Sequence, residues 1–229
     1  MEKNLLFKER IKELFAVHDI YFFGIADLHN ISHIRDGKGE LFRKAVSFAV
    51  PMNAEIMGGI KQGPTKRYAD EYARVNEKID SVSSMLVSTI EESGYTAKPI
   101  PASKRTDPKN IKGGFPHKTA ATQAGMGWIG RNCQLITRKH GPWVRLGTVF
   151  TDLPVQPDDP VTKSYCGDCR KCIEACPADA LVGNLWHPGI SREELLDVWV
   201  CDQWKKKHYY RFNQGHNCGI CAAICPFGK

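Results

Sequence analysis

The sequence predicts an α/β (α+β) chain in two parts: a mixed helix–strand domain over residues 1–155 and a small cysteine-rich domain over 156–229. Three observations predict this. Helical and strand periodicities alternate through the first two thirds. Pro154, Pro157 and Pro160 punctuate the stretch PVQPDDP, which reads as a domain junction. Eight of the nine cysteines then fall between Cys166 and Cys225.

Residues 3–17 read as a helix with Leu6, Ile11, Leu14 and Phe15 as its apolar stripe. The runs 20–26 and 45–50 are short, apolar and rich in β-branched and aromatic residues, as buried strands are. After Gly63-Pro64-Thr65 a long helix runs to about Ser93; Tyr72, Val75, Ile79, Val82, Leu86 and Ile90 recur at helical spacing, and Gly94 is a natural stop. A strand follows over 95–100, a polar loop over 102–116 and a short helix over 117–124. Residues 133–138 and 143–151 read as a hairpin across His140-Gly141-Pro142. In the second domain, short helices are expected over 168–175 and 219–224. Ser191 with Glu194 forms a capping box for a helix over 192–208, which carries Cys201.

The first cysteine group, Cys166, Cys169, Cys172 and Cys176, is followed by Pro177 and reads C-x2-C-x2-C-x3-C-P. That run binds 4Fe–4S clusters in bacterial ferredoxins, and its fourth cysteine serves the other cluster of a pair. The second group, Cys218, Cys221 and Cys225 before Pro226, lacks the leading cysteine; Gly215 stands there, and Cys201 upstream is the substitute. The expected sets are therefore Cys166, Cys169, Cys172 and Cys225 for cluster one, and Cys176, Cys201, Cys218 and Cys221 for cluster two. Zinc would suit two C-x2-C pairs, but not the third cysteine of the first run or both Cys-Pro endings. Disulfides need an exported chain, and the amphipathic, acid-containing start has neither the apolar core nor the cleavage site of a signal peptide. No apolar run reaches the ~20 residues of a membrane span. The expected location is cytoplasmic, with no membrane partner.

The formal charge is +7, which falls to about +3 once eight thiolates and two cluster cores are counted. The excess of base thus compensates the clusters and gives little support to nucleic-acid binding. A basic patch at Lys205, Lys206, Lys207, His208 and Arg211 is either a solvated helix face or a dock for an acidic electron donor such as ferredoxin or flavodoxin.

Other motifs are weaker. Gly125-Met126-Gly127-Trp128-Ile129-Gly130 matches G-x-G-x-x-G, but a dinucleotide site needs a strand before it and a helix after it. Here a helix precedes and a hairpin follows, so the glycines are expected to let backbone approach something flat or bulky. Asp27-Leu28-His29 partly matches a corrinoid D-x-H-x-x-G motif but lacks its closing glycine. Cys133 is either a small buried hydrophobe or a residue lining the cofactor site. His117 opens a helix and is either a surface histidine or a proton donor.

The segments AGMGWIGRN, CQLITRKHGPWVRLGTVFTDLPV and CGDCRKCIEACPADAL, with GIADL, AVSFAVP and Tyr68-x-x-x-Tyr72 in order before them, resemble the epoxyqueuosine reductase family. Reductive dehalogenases and the mammalian cobalamin-processing protein are more distant relatives of that architecture. The resemblance implies a nitroreductase-like, corrinoid-binding domain followed by a ferredoxin-like domain with two 4Fe–4S clusters. In such proteins the clusters reduce the cobalt of a base-off cobalamin. Gly125, Gly127, Trp128, Gly130, Arg131, Asn132 and Cys133 become candidate corrinoid contacts. Tyr68, Tyr72 and His117 become candidate catalytic residues.

Two departures from the family bear on substrate. Ile111 occupies the place of the family's proton-donating Asp, Gly114 that of a Pro and His117 that of a Glu, while Asp107 is off register. The family's tRNA-holding helical repeats follow the last cysteine, where this sequence ends at Lys229. Both departures disfavour tRNA and leave three expectations. One is a corrinoid-dependent oxidoreductase acting on a small substrate or on the corrinoid itself. The others are an electron-transfer activator of a partner corrinoid protein and a flavin-binding reductase.

Overall fold

The computed structural model describes residues 2–228. Seven α-helices and six strands are assigned in this span, in two compact units that interleave along the chain. Unit 1 comprises residues 1–50, 76–126 and 145–161; unit 2 comprises 51–75, 127–144 and 162–229. The expected division at 155/156 was linear. Instead, two segments of the amino-terminal two thirds fold with the cysteine-rich part.

Unit 1 is built on a four-stranded sheet in the order β1 (Phe23–Asp27), β2 (Lys44–Pro51), β6 (Val144–Thr151), β3 (Ala97–Ile100). β1 pairs antiparallel with β2, and β3 with β6. Helix α1 (Glu2–Val17) brings Phe15 against Phe48 of β2, with ring centroids 4.9 Å apart. Helix α3 (Lys66–Glu92) follows most of its predicted stripe: Val75, Ile79, Val82, Leu86 and Ile90 are buried, while Tyr72 is partly buried. Gly147 of β6 is required by close approach, since a Cβ there would lie 2.2 Å from the Phe48 ring. Helix α4 (His117–Gln123) ends where Met126 N–H donates to Ala121 O and Gly125 N–H to Thr122 O, with Gly125 at φ 70°. That is a Schellman stop.

The PVQPDDP stretch is not a loose linker. Lys44 donates to the carbonyls of Leu153 and Val155, at 2.8 and 3.2 Å. The Asp158 carboxylate accepts from Ile25 N–H at 2.8 Å and pairs with Lys8 at 2.6 Å. Val161 N–H donates to Thr122 O. Three prolines stiffen the segment, and these bonds fasten it to unit 1.

Unit 2 holds a core of Met52, Met57, Ile60, Tyr68, Trp143, Ala222 and Ala223. Trp143 ties it together: its indole N–H donates to Ala222 O at 2.9 Å, and its carbonyl accepts from Met52 N–H. Helix α2 (Ala54–Gly58) is capped by the Asn53 side chain; it is too short for sequence periodicity to reveal.

The expected hairpin of 133–138 with 143–151 is corrected. β5 (Leu135–Ile136) pairs with β4 (Trp128–Ile129), and β6 pairs with β3 instead. A bridge between Thr137 and Gly141 closes the predicted turn. The predicted helix over 192–208 is also shortened. The Ser191–Glu194 box forms, with Ser191 N–H and Oγ both on Glu194 Oε2, but it closes only a turn. Helix α6 (Val198–Tyr209) starts later, where Asp197 accepts from Trp199 and Val200 N–H. The first strand begins at Phe23 rather than residue 20.

Candidate functional site

Each cysteine loop in unit 2 folds as a tight turn into one turn of helix. Cys169 N–H donates to Cys166 O, with Gly167 at φ 53° between them, and α5 (Lys171–Glu174) carries Cys172. In the second run Gly219, at φ 85°, caps α7 (Ile220–Ala223), which carries Cys221 and leads to Cys225. The glycine is required twice, for its φ and because a Cβ would stand 2.6 Å from Ile60 and 3.0 Å from the Tyr68 hydroxyl.

Cys166, Cys169, Cys172 and Cys225 line one cavity, with Arg131, Asn132 and Phe227. Burial pushes the thiols of Cys172 and Cys225 up to about 11, and the negative charge of Cys166 and Cys169 adds to it in both. The other four thiols form a second electrostatic set. Burial raises Cys221 far above a free thiol, and Cys218, Cys201 and Cys176 raise it further. Burial likewise raises Cys201 and Cys218, while the Lys205 ammonium pulls both back. Cys172 of the first set also acts on Cys221, so the two sets are neighbours.

Buried thiolates that repel one another need a cation to hold them. The donor chemistry fits a sulfide-bearing cluster. Asn217 Nδ2, beside Cys218, and Arg131 Nε are buried N–H donors with no partner among the described residues. Inorganic sulfide accepts such donors.

The β4–β5 loop, read in the sequence as a corrinoid contact, packs on the cysteine loops of its own unit. Arg131 donates to Gly183 O and, at 2.8 Å, to Gly167 O. Asn132, 4% exposed, donates from Nδ2 to Cys221 O at 3.2 Å. Gly127 and Gly130 serve the hairpin: a Cβ on the first would meet Ile136 O at 2.2 Å, and on the second Ile136 Cδ1 at 2.5 Å. Trp128 is 1% exposed, its ring centroid 5.2 Å from that of Tyr165 and 5.0 Å from that of Phe227. Cys133 is buried at φ 55° and acts electrostatically on Cys201. Gly125, the helix stop, lies in unit 1.

Tyr68 belongs to the unit 2 core, and Tyr72 packs against that core with its ring 6.2 Å from Tyr68. His117 lies in unit 1. Pro101 O can only accept, so His117 Nε2–H donates to it at 3.3 Å, and Nδ1 accepts from the Thr148 hydroxyl at 2.8 Å. Burial lowers its pKa to about 4. A neutral imidazole with both nitrogens engaged is a structural pin rather than an acid, which corrects the expectation of a proton donor. The basic patch also changes character. Asp202, 2% exposed, pairs with Lys206 at 2.7 Å and with Lys205 at 3.8 Å. Lys205 turns inward toward the cysteines, leaving Lys206, Lys207, His208 and Arg211 exposed. Sequence reasoning missed Gln134, Asn217 and Asp202, and read Lys205 only as part of a surface patch, because nothing in their spacing signals a thiol nearby.

Residues 165–228 match the family model of a 4Fe-4S double cluster binding domain. An epoxyqueuosine reductase of Listeria monocytogenes is 33% identical over 112 residues, 48% of this chain and 28% of that protein. A tetrachloroethene reductive dehalogenase of Dehalobacter restrictus is 36% identical over 120 residues, 48% of this chain and 21% of that one. The chain thus spans less than a third of these curated relatives. A solved catabolic reductive dehalogenase bound to 3-bromo-4-hydroxybenzoic acid superposes with TM-score 0.73 at 24% identity, covering 96% of this chain and 32% of its own. The epoxyqueuosine reductase from Bacillus subtilis gives 0.61 at 20%, covering 98% and 66%. The chain is similar in sequence and fold to both families, as its motifs imply.

Proposed function

We propose that this chain is an iron–sulfur oxidoreductase. Cys166, Cys169, Cys172 and Cys225 hold one 4Fe–4S cluster, and Cys176, Cys201, Cys218 and Cys221 hold the other. The observation that carries the proposal is that thiols from two separate runs line one cavity, with Cys225 joining the three of the first loop. Bound clusters of this type supply single electrons at low potential. The protein's own residues bring the thiols together, exclude water and offer N–H groups to the sulfurs. Arg131 fixes two loop carbonyls, and Asn132 fixes the backbone of Cys221.

We further propose that a reduced ferredoxin or flavodoxin is the donor, and that the acceptor is a base-off corrinoid serving reduction of a small substrate other than tRNA. Support for the corrinoid comes from likeness to a solved reductive dehalogenase whose structure concerns B12-dependent dehalogenation. When bound, such a cofactor supplies the reducing cobalt, while the protein places and insulates it.

Anaerobic purification with iron, sulfide and cobalt analysis tests the clusters: about eight irons per chain are expected, and zinc in their place refutes the proposal. Titration with cob(II)alamin tests the acceptor. A base-off spectrum is expected; absence of binding leaves an electron-transfer role toward a partner corrinoid protein.

A further inference from the structure

We propose that Gln134 sets the reduction potential of the second cluster by donating an amide N–H to the sulfur of Cys221. The inference rests on the assignment of Cys221 to that cluster.

Gln134 Nε2 lies 3.9 Å from Cys221 Sγ, within reach of an N–H···S hydrogen bond. The side chain is aimed by its own backbone. Gln134 N–H donates to Asn132 Oδ1 at 3.2 Å, and Gln134 O accepts from Gly130 N–H at 2.9 Å. The same loop holds the other end of its target, through Asn132 Nδ2 on Cys221 O. Donor and acceptor are thus both fixed by one five-residue turn between β4 and β5. Nothing in the cysteine motifs requires a carboxamide there.

Cys221 is half-buried, and burial is the main cause of its raised pKa. In such partly desolvated surroundings an N–H dipole on sulfur acts more strongly than in water. Reduction adds one electron to the cluster and increases the negative charge on its sulfurs. No bond is made or broken, and the electron comes from the external donor. The N–H···S hydrogen bond would strengthen in the reduced form, so the donor would raise the potential. Lys205 acts in the same sense on Cys201 and Cys218. In the first cavity Arg131 gives two N–H groups to carbonyls and, among the described residues, keeps Nε–H free for a sulfur.

The test is a dithionite redox titration followed by EPR on the anaerobic holoprotein, with Gln134→Leu and Gln134→Glu as variants. At the wild-type midpoint, Gln134→Leu should lower the reduced-to-oxidised ratio of one cluster about tenfold, a downward shift of about 59 mV for a one-electron couple. Gln134→Glu, of the same shape but with oxygen for nitrogen, should shift the same couple further down. The other couple should move much less. Iron should stay at the wild-type content. Unmoved potentials with full iron overturn the proposal, as do equal shifts of both couples. Loss of iron in both variants also overturns it, because Gln134 would then hold the fold rather than tune the cluster. A wild type without about eight irons is a different result: it refutes the cluster assignment itself.

Discussion

Cys225 and Cys176 carry the sharpest consequence at the scale of single residues, because under the proposed ligand sets each sits in one run and serves the other. If the sets are crossed, Cys225→Ala and Cys166→Ala remove the same iron. The double variant should then retain about four irons, while Cys225→Ala with Cys218→Ala should retain none. Iron analysis of the two double variants checks this; uncrossed sets would reverse the outcomes. His117 gives a pH prediction. Its folded pKa of about 4 lies below the unfolded value near 6.5, so the unfolded chain takes up the proton first. Its contribution is fully present above about pH 6.5 and is lost as pH falls toward 4, by on the order of 3 kcal/mol. Denaturant titrations of wild type and His117→Gln should diverge in that window and run parallel above it. The cysteines were legible in the sequence because ligand spacing is a local constraint. The neutral state of His117 was not, because it depends on Thr148 and Pro101, which only the fold brings near.

Among the elements, α6 shows how a correct local signal can be assigned the wrong consequence. Ser191 and Glu194 satisfy each other as the capping box requires, yet the chain turns again before the helix begins at Asp197. Asp197→Ala should cost about 1 kcal/mol and loosen Cys201. Ser191→Ala should leave α6 intact, and amide hydrogen exchange across Val198–Tyr209 distinguishes the two. β4 was illegible for another reason: it is two residues long, and periodicity needs more. β5 lies within the strand expected over 133–138, but its partner is β4 rather than β6. The glycines around them were visible but their purpose was not. Gly127→Ala should disrupt this hairpin, since its Cβ would overlap Ile136 O, and thermal melts should show the loss. The long helix α3 and strand β2 were legible throughout because their apolar stripes extend over several turns or pleats.

For the whole molecule, two units of different character share one chain. Unit 1 has a sheet, long helices and a packed aromatic core. Unit 2 has α5 and α7, four residues each, too short to persist by themselves. Removal of iron by a chelator should therefore unfold much of 162–229 while the sheet of unit 1 keeps its exchange protection. Mass-resolved hydrogen exchange before and after chelation checks this; uniform protection in the metal-free protein would contradict it. Raised thiol pKa values add a pH dependence, because each thiol must shed a proton to bind iron. Cluster assembly should thus be favoured as pH rises. The linear boundary near 155 missed the recruitment of 51–75 and 127–144, since a contact such as Trp143 on Ala222 leaves no local trace.

The place of Cys225 has a bearing on biosynthesis. As the chain leaves the ribosome, the three thiols of the first loop emerge well before Cys225, which lines the same cavity. Under the proposed sets neither cage can close until the second cysteine run has been made, and a premature stop anywhere before Cys225 would leave the first cage unfinished.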